Sequence, residues 1–235
     1  MMEVANDTLT TGTNEQLSPL TRRLYDAIAP VYALPTLLFH SKAHAAALEA
    51  ASIENESRIL EVAIGSGEML RRLVQANPNG QTIGVDLSPK MAARSQETAG
   101  QDFPGAAVHC QAADARYLPF PSGYFDAVVC CYLFELIPQS DVPDALTEIH
   151  RVLRPGGRLT TILVAQNDRN FNAMYRACSS IVPAFWGRQL DGYVIDLLSR
   201  YGFVTESDNH IKQFFYSSRI VSVTRGARSF SAAAG

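Results

Sequence analysis

The chain reads as a doubly wound α/β sheet, and three observations predict it. From residue 58 onward, short apolar runs alternate with helical runs, the order of a parallel sheet covered by helices on both faces. Several of these runs, 127–132 above all, are almost continuously apolar, as strands buried on both faces must be. Finally, Ile59-Leu60-Glu61-Val62-Ala63-Ile64-Gly65-Ser66-Gly67 is a strand that ends in an acid and a tight glycine turn, and helix-prone Glu68-Met69-Leu70-Arg71-Arg72-Leu73-Val74 follows. Strand, glycine turn and helix together bring a nucleotide-sized ligand against bare backbone at a helix N-terminus. Glycine turns also serve as plain connections, so the ligand reading depends on what comes after.

In chain order, residues 1–17 are rich in Thr, Asn and Gly and read as disordered. An N-terminal helical cap, 18–57, precedes the first strand. Leu20, Leu24 and Ile28 recur at helical spacing until Pro30 interrupts, and an Ala- and Leu-rich helix spans 34–51. The sheet domain, 58–228, has strands predicted at 58–63, 82–86, 106–111, 125–132 and 158–164, with helices at 68–76, 89–99 and 142–153. The alternation breaks at 166–188, which reads as a helical lid inserted after the fifth strand and carries Phe171, Tyr175, Phe185 and Trp186. A last helix at 190–201 leads to strands around 203–206 and 214–223, an expected antiparallel hairpin at the sheet edge; 229–235 reads as a flexible tail.

Composition narrows the function classes. The 235 residues are 47% apolar, enough for a sizeable core, with a formal net charge of −3 and no Lys/Arg run. Nucleic-acid binders usually show a basic stripe, so that class is not expected here. Cys110, Cys130, Cys131 and Cys178 match no metal or redox spacing and read as buried free thiols of a reducing compartment. The polar N-terminus lacks an apolar signal core, and the longest apolar run is too short to span a bilayer. A cytoplasmic protein is the expectation.

Three strand ends carry informative residues. Glu61 precedes the Gly65/Gly67 turn. Asp86 ends the second strand, roughly twenty residues past the turn, where an acid accepts hydrogen bonds from ribose hydroxyls. Asp114 follows the third strand, where a carboxylate is placed for the exocyclic amine of an adenine. A dinucleotide site would want a third glycine, but Leu70 stands there, and no phosphate-loop Lys-Ser/Thr pair is present. A nucleoside ligand without phosphates fits better.

With these residues in place the chain resembles the class I S-adenosylmethionine-dependent methyltransferases. The resemblance lies in Leu60-Glu61-Val62-Ala63-Ile64-Gly65-Ser66-Gly67, Val85-Asp86-Leu87-Ser88-Pro89-Lys90-Met91, Ala113-Asp114-Ala115 with Leu118-Pro119-Phe120, Phe125-Asp126-Ala127-Val128-Val129, and Glu148-Ile149-His150-Arg151-Val152-Leu153-Arg154-Pro155-Gly156-Gly157. It is strongest to the subgroup of quinone-ring C-methyltransferases and small-molecule or phospholipid-headgroup methyltransferases, whose N-terminal motif Tyr25-Asp26-x-x-Ala29-Pro30-x-Tyr32 resembles. It implies a Rossmann-like seven-stranded sheet with the last strand antiparallel, and S-adenosylmethionine as cofactor. By position it implies Glu61 and the Gly65–Gly67 backbone near the methionine portion, Asp86 on the ribose, Leu87 and Met91 against adenine, and Asp114 with Ala115 at the adenine edge. Ala63 takes the place of the first family glycine, and Cys131 and Tyr25 complete the expected cofactor contacts.

Candidate catalytic groups are few. Glu135 follows the fourth strand, where an acceptor pocket opens; it reads either as a base or substrate contact, or as a solvated helix-end carboxylate. Tyr25 and Tyr32 on the cap are candidates to orient the acceptor over the cofactor, or simply pack on the sheet. His150 reads as structural or solvated, and Pro155-Gly156-Gly157 as a turn into the fifth strand. His40 and His44 share a helical face at a metal-binding spacing, but no third ligand is apparent and no metal is expected. His109 and His210 have no motif around them. The leading function is methyl transfer to a small, fairly apolar acceptor, C- or O-methylation of a quinone or phenolic ring. An N-methylated amine or phospholipid head group, with peripheral membrane contact, is the alternative. A binding scaffold or sensor is the non-enzymatic one, and a nicotinamide oxidoreductase is disfavoured by the missing glycine.

Overall fold

A computed structural model describes residues 33–166, 189–213 and 217–226, with residues 33–40 described as backbone only. Seven strands form one sheet in the order β3-β2-β1-β4-β5-β7-β6. They are β1 (Arg58–Val62), β2 (Gln81–Asp86), β3 (Ala107–Ala112), β4 (Phe125–Cys131), β5 (Leu153–Val164), β6 (Phe203–Lys212) and β7 (Ser217–Arg225). The helices among the described residues are α1 (Ala33–Ala51), α2 (Glu68–Ala76), α3 (Pro89–Asp102), α4 (Val142–Val152) and α5 (Asp191–Arg200).

β1 to β5 pair in parallel, whereas β7 runs antiparallel to both β5 and β6. The predicted closing hairpin is present, but β7 lies inside the sheet and β6 takes the edge. The residues explain the exchange. Ile220, Val221 and Val223 of β7 are buried, whereas most of β6, rich in Thr, Glu, Asp, Asn and His, is exposed. A polar, bulged strand is a good edge because it discourages pairing with another chain. The same polarity hid its length, since β6 continues to Lys212 well past its apolar start.

Side-chain alternation divides two cores. Leu60, Val62, Val128 and Cys130 face α4 and α5, packing with Leu146, Ile149, Val194 and Leu198. Ile59, Val129, Ile162 and Ile220 face the other way, against Ala43, Ala47 and Ala51 of α1 and Met69 and Leu73 of α2. Alanine at four-residue spacing lets α1 lie close on the strands, and Ala43, Ala47 and Ala51 are buried. α3 completes that layer through Ala99, which packs with Ile64, Leu70 and Cys110. Its start follows from sequence: Ser88 caps the helix by accepting from Met91 N, with Pro89 in the first turn.

Pro155-Gly156-Gly157 does not lead into β5 as a turn. The strand already begins at Leu153, paired with Phe125, and the register then jumps to Ala127 with Arg158. Residues 154–157 form the excursion between, with Gly156 at φ 74 and Arg154 Nε on Asp126 Oδ1 at 2.6 Å. The expected helix over 18–28, the lid over 166–188 except Gln166, and the terminal tail lie outside the described residues.

Candidate functional site

The parallel strands β1, β2, β3 and β4 end on one side of the sheet, and the loops there build the site. After Val62 the chain must turn sharply to start α2. Ala63 N and Ile64 N both donate to Val85 O, at 2.8 and 3.1 Å, which locks the turn onto β2. Three turn residues have left-handed backbones: Ala63 (φ 64), Gly65 (φ 48) and Gly67 (φ 79). Nothing lies within 4 Å of the point where a Cβ on Gly65 would sit, so that glycine opens space, whereas a Cβ on Gly67 would meet Ser95 Oγ at 2.9 Å. Gly84 is equally constrained, since its Cβ would lie 2.7 Å from Ile64 Cγ2. Ala63 holds with a Cβ the conformation for which glycine is the easy choice, at a cost of about 1–2 kcal/mol.

Asp86 ties the two loops together. Its Oδ2 accepts from Gly65 N and its Oδ1 from Ser88 N, both at 2.9 Å. The sequence places this acid on a ribose; what the structure shows is that it holds the glycine turn and orients the start of α3. Leu87 is half-buried and Met91 is buried in the first turn of that helix.

Glu61 is 1% exposed on the α1 face, and its Oε2 has no hydrogen-bond partner among the described residues. It stands in register with Gly84, which in turn pairs with Cys110. Burial pushes its carboxyl well above the usual range, and the negative charges of Asp86 and Glu68 add to this. Burial, with Glu61 nearby, likewise raises the thiols of Cys131 and Cys130 and takes Cys110 to about 12. All three are free; Cys110 and Cys130 are buried as expected, Cys131 is only partly so, and Cys178 lies outside the described residues.

Glu61 and Asp86 lie about the glycine turn, whereas Glu68 at the start of α2 is paired with Arg72 at 2.8 Å. An ionised Glu61 would suit the sulfonium and ammonium groups of S-adenosylmethionine.

At the third strand end Asp114 is committed locally. Arg116 grips both carboxylate oxygens, with Nη2 to Oδ2 at 2.7 Å and Nε to Oδ1 at 3.0 Å, and its Nη1 reaches Asp141 Oδ2 at 2.6 Å. Burial would raise the Asp114 carboxyl, but these bonds and the Arg116 charge outweigh it and leave it lowered. The loop from Ala115, which is buried, to Phe120 is stapled from α4. Glu148 Oε2 accepts from Leu118 N at 2.8 Å, and Arg151 donates to Leu118 O and Phe120 O at 2.8 and 2.7 Å. The Glu148–Arg151 motif therefore anchors the loop beside Asp114. His150 between them is buried, edge-on to Phe203 at 5.3 Å, and burial lowers its pKa; of the two readings the structural one holds. His44 is buried on α1.

Glu135 is not a solvated carboxylate. It is 2% exposed, and its Oε1 accepts from Val164 N at 2.8 Å, clasping the end of β5. Its Oε2 has no hydrogen-bond partner among the described residues. Burial, only partly offset by backbone donors and reinforced by Asp191, raises its pKa to about 8. At neutral pH it is mostly protonated and hence a poor base. Tyr25 and Tyr32 lie outside the described residues, as do the lid aromatics. Sequence reasoning missed Arg116, which stands two residues past Asp114, and Asp141, Tyr132 and Gln213, whose contacts run across the fold.

Two titrations test these environments. Binding a cation beside Glu61 favours its ionised form, so cofactor binding releases a proton and tightens as pH rises through the raised Glu61 range. Calorimetry in buffers of different ionisation enthalpy should show that release in the wild type and lose it in Glu61→Gln; equal release in both contradicts the assignment. For Glu135 the folded carboxyl titrates near 8 against an ordinary value of 4.5. The folded state therefore keeps a proton that the unfolded chain loses, and stability falls as pH rises between those two values. Glu135→Gln removes that loss. Urea unfolding at about pH 5 and about pH 8.5 should show the variant gaining on the wild type at the higher pH, by an amount on the order of a few kcal/mol; a constant difference contradicts the buried acid.

The described fold and site agree with what comparison finds. Residues 59–157 match the family model described as a methyltransferase domain. The demethylmenaquinone methyltransferase of Thermus thermophilus is 33% identical over 174 residues, covering 72% of this chain and 77% of its own. A 2-phytyl-1,4-naphtoquinone methyltransferase of Synechococcus elongatus is 29% identical over 177 residues, 73% of this chain and 71% of its own. In fold, a methyltransferase structure from Bacillus halodurans superposes with a TM-score of 0.68 at 16% identity, covering 79% of this chain and all (100%) of that one. The five motif blocks, the seven-stranded sheet with its antiparallel strand, the glycine turn and these matches establish that the chain belongs to the class I S-adenosylmethionine-dependent methyltransferases.

Proposed function

We propose that the enzyme methylates the ring of a small quinone-type acceptor, at carbon or at a ring oxygen. The observation that carries this reading is the reach of the similarity. Relatives named for naphthoquinone-type substrates match over nearly three quarters of the chain, well beyond the residues 59–157 shared with methyltransferases in general. Fold alone would not support an acceptor, because one fold serves many chemistries.

When bound, S-adenosylmethionine supplies an already activated methyl group. The chain's own residues have simpler work: they hold both partners and keep water out. Positioning of this kind can lower a barrier by about 7–11 kcal/mol in favourable cases. In this reading Glu61 faces the cationic methionine portion, and the Gly65–Gly67 backbone lets it approach. Asp86 takes the ribose hydroxyls. Leu87 and Met91 lie against the adenine, with Asp114 and Ala115 at its edge, and Ala63 and Cys131 line the reacting end between β1 and β4. Tyr25 and Tyr32 orient the acceptor from the cap. Glu135, protonated at neutral pH, serves by fixing the end of β5 beside the acceptor pocket rather than by taking a proton.

No helix among the described residues is long and apolar enough to cross a membrane. The test is transfer of a labelled methyl group from S-adenosylmethionine into a chemically reduced cell extract. The expected result is label in the organic phase, in a product that runs with quinones and is absent when the extract is stripped of them. Label confined to aqueous amines, or to phospholipid head groups, contradicts the reading.

A further inference from the structure

Three polar side chains meet on the α1 face at the ligand end of the sheet, apart from the groups assigned to the cofactor. Tyr132 follows β4, Gln213 follows β6, and Ser218 lies at the start of β7 opposite Val164. Tyr132 Oη and Ser218 Oγ are 2.7 Å apart. Gln213 Nε2 donates to Tyr132 Oη at 3.1 Å and to Ser218 Oγ at 2.7 Å. Ser218 is 0% and Gln213 6% exposed.

Counting hydrogens fixes the direction of the amide. A closed triangle of three contacts needs three hydrogens. With Nε2 turned inward, the amide supplies two and one hydroxyl supplies the third. With the oxygen inward, two hydroxyl hydrogens would have to serve three contacts, leaving one pair of oxygens facing each other without a proton. The triangle therefore turns Oε1 away from itself. That atom is buried and has no hydrogen-bond partner among the described residues. Native interiors rarely leave a buried amide oxygen without a donor.

The location gives the orphan a purpose. β4 lies between β1 and β5, so Tyr132 stands one strand from the glycine turn and directly after Cys131. Tyr132 has φ 58, a left-handed conformation that bulky residues seldom adopt, and its N donates to Ile162 O at 2.9 Å. This turn packs the ring beside Cys131 against the α1 core. Strain of this kind concentrates at ligand sites.

We propose that Gln213 Oε1 anchors a ring hydroxyl of the methyl acceptor, with Tyr132 and Ser218 as the positioning residues that hold the amide. The inference rests on the acceptor class proposed above and adds the residue that selects within it. A ring hydroxyl has a hydrogen to give to Oε1; a keto or ether oxygen has none. A site built to accept a hydroxyl discriminates against the analogue that lacks it, because the buried partner is then left unmatched.

The test uses the whole protein, labelled S-adenosylmethionine, a prenylated naphthohydroquinone kept reduced as acceptor, and its dimethyl ether as competitive inhibitor. In the wild type the ether should bind at least about tenfold more weakly than the hydroquinone. Gln213→Leu should raise the hydroquinone KM by about tenfold or more, while the inhibition constant of the ether and the cofactor Kd stay unchanged. An unchanged KM in a Gln213→Leu variant that still binds cofactor overturns the anchor. So does an equal loss for hydroquinone and ether. Should that variant not fold, the wild-type comparison decides alone, and equal affinity for hydroquinone and ether overturns the proposal. Absence of turnover with any hydroquinone by the wild type overturns the acceptor reading itself, and the anchor with it.

Discussion

The Asp86 carboxylate is the fastening on which the ligand end of this sheet depends. One oxygen holds Gly65 N and the other holds Ser88 N, each at 2.9 Å. The first bond shapes the turn between β1 and α2, and the second sets the start of α3. The glycine turn, the Ser88 cap and the burial of Met91 all follow from where that one side chain sits. An acid at this point also gives the site its sign. Glu61 lies buried beside the turn with its carboxyl pushed well above the usual range, and a cation placed next to it would favour the ionised form.

The two faces of the sheet divide the work. Below α4 and α5 the packing is almost wholly apolar and close to seamless, and the polar groups there, such as Glu148 and Arg151, fasten loops. Below α1 the strands carry buried or partly buried polar groups: Glu61, Cys131, Tyr132, Gln213 and Ser218. The small alanines of α1 bring the helix close to the middle of the sheet, while the polar residues collect at the strand ends. The apolar core and these polar groups thereby fall on opposite faces, in an open α/β sheet of the kind whose ligands lie beyond the strand ends.

Much of this was legible in the chain. Continuous apolar strands, the Gly65/Gly67 turn, and Asp86 at the end of β2 are local signals, and each falls where the periodicity put it. Helix α2 matches its predicted span residue for residue. What escaped was non-local. The place of β7 between β5 and β6 depends on which of two strands is more apolar on both faces, and that is settled only when both pair. The length of β6 was masked by its polar edge residues. The state of Glu135 could not be read from Tyr132-Leu133-Phe134-Glu135, because its hydrogen bond comes from Val164 and a neighbouring charge from Asp191, residues distant in sequence. The commitment of Asp114 to Arg116, two residues on, was closer to hand, but its continuation to Asp141 was not.

The most direct test of the account is a crystal structure of the protein with S-adenosylmethionine. The account predicts ribose hydroxyls on Asp86, adenine against Leu87 and Met91, and the sulfonium on the α1 side of the ends of β1 and β4, facing Glu61. A ligand whose ribose engages a different acid, or whose sulfonium points away from Glu61, would contradict it.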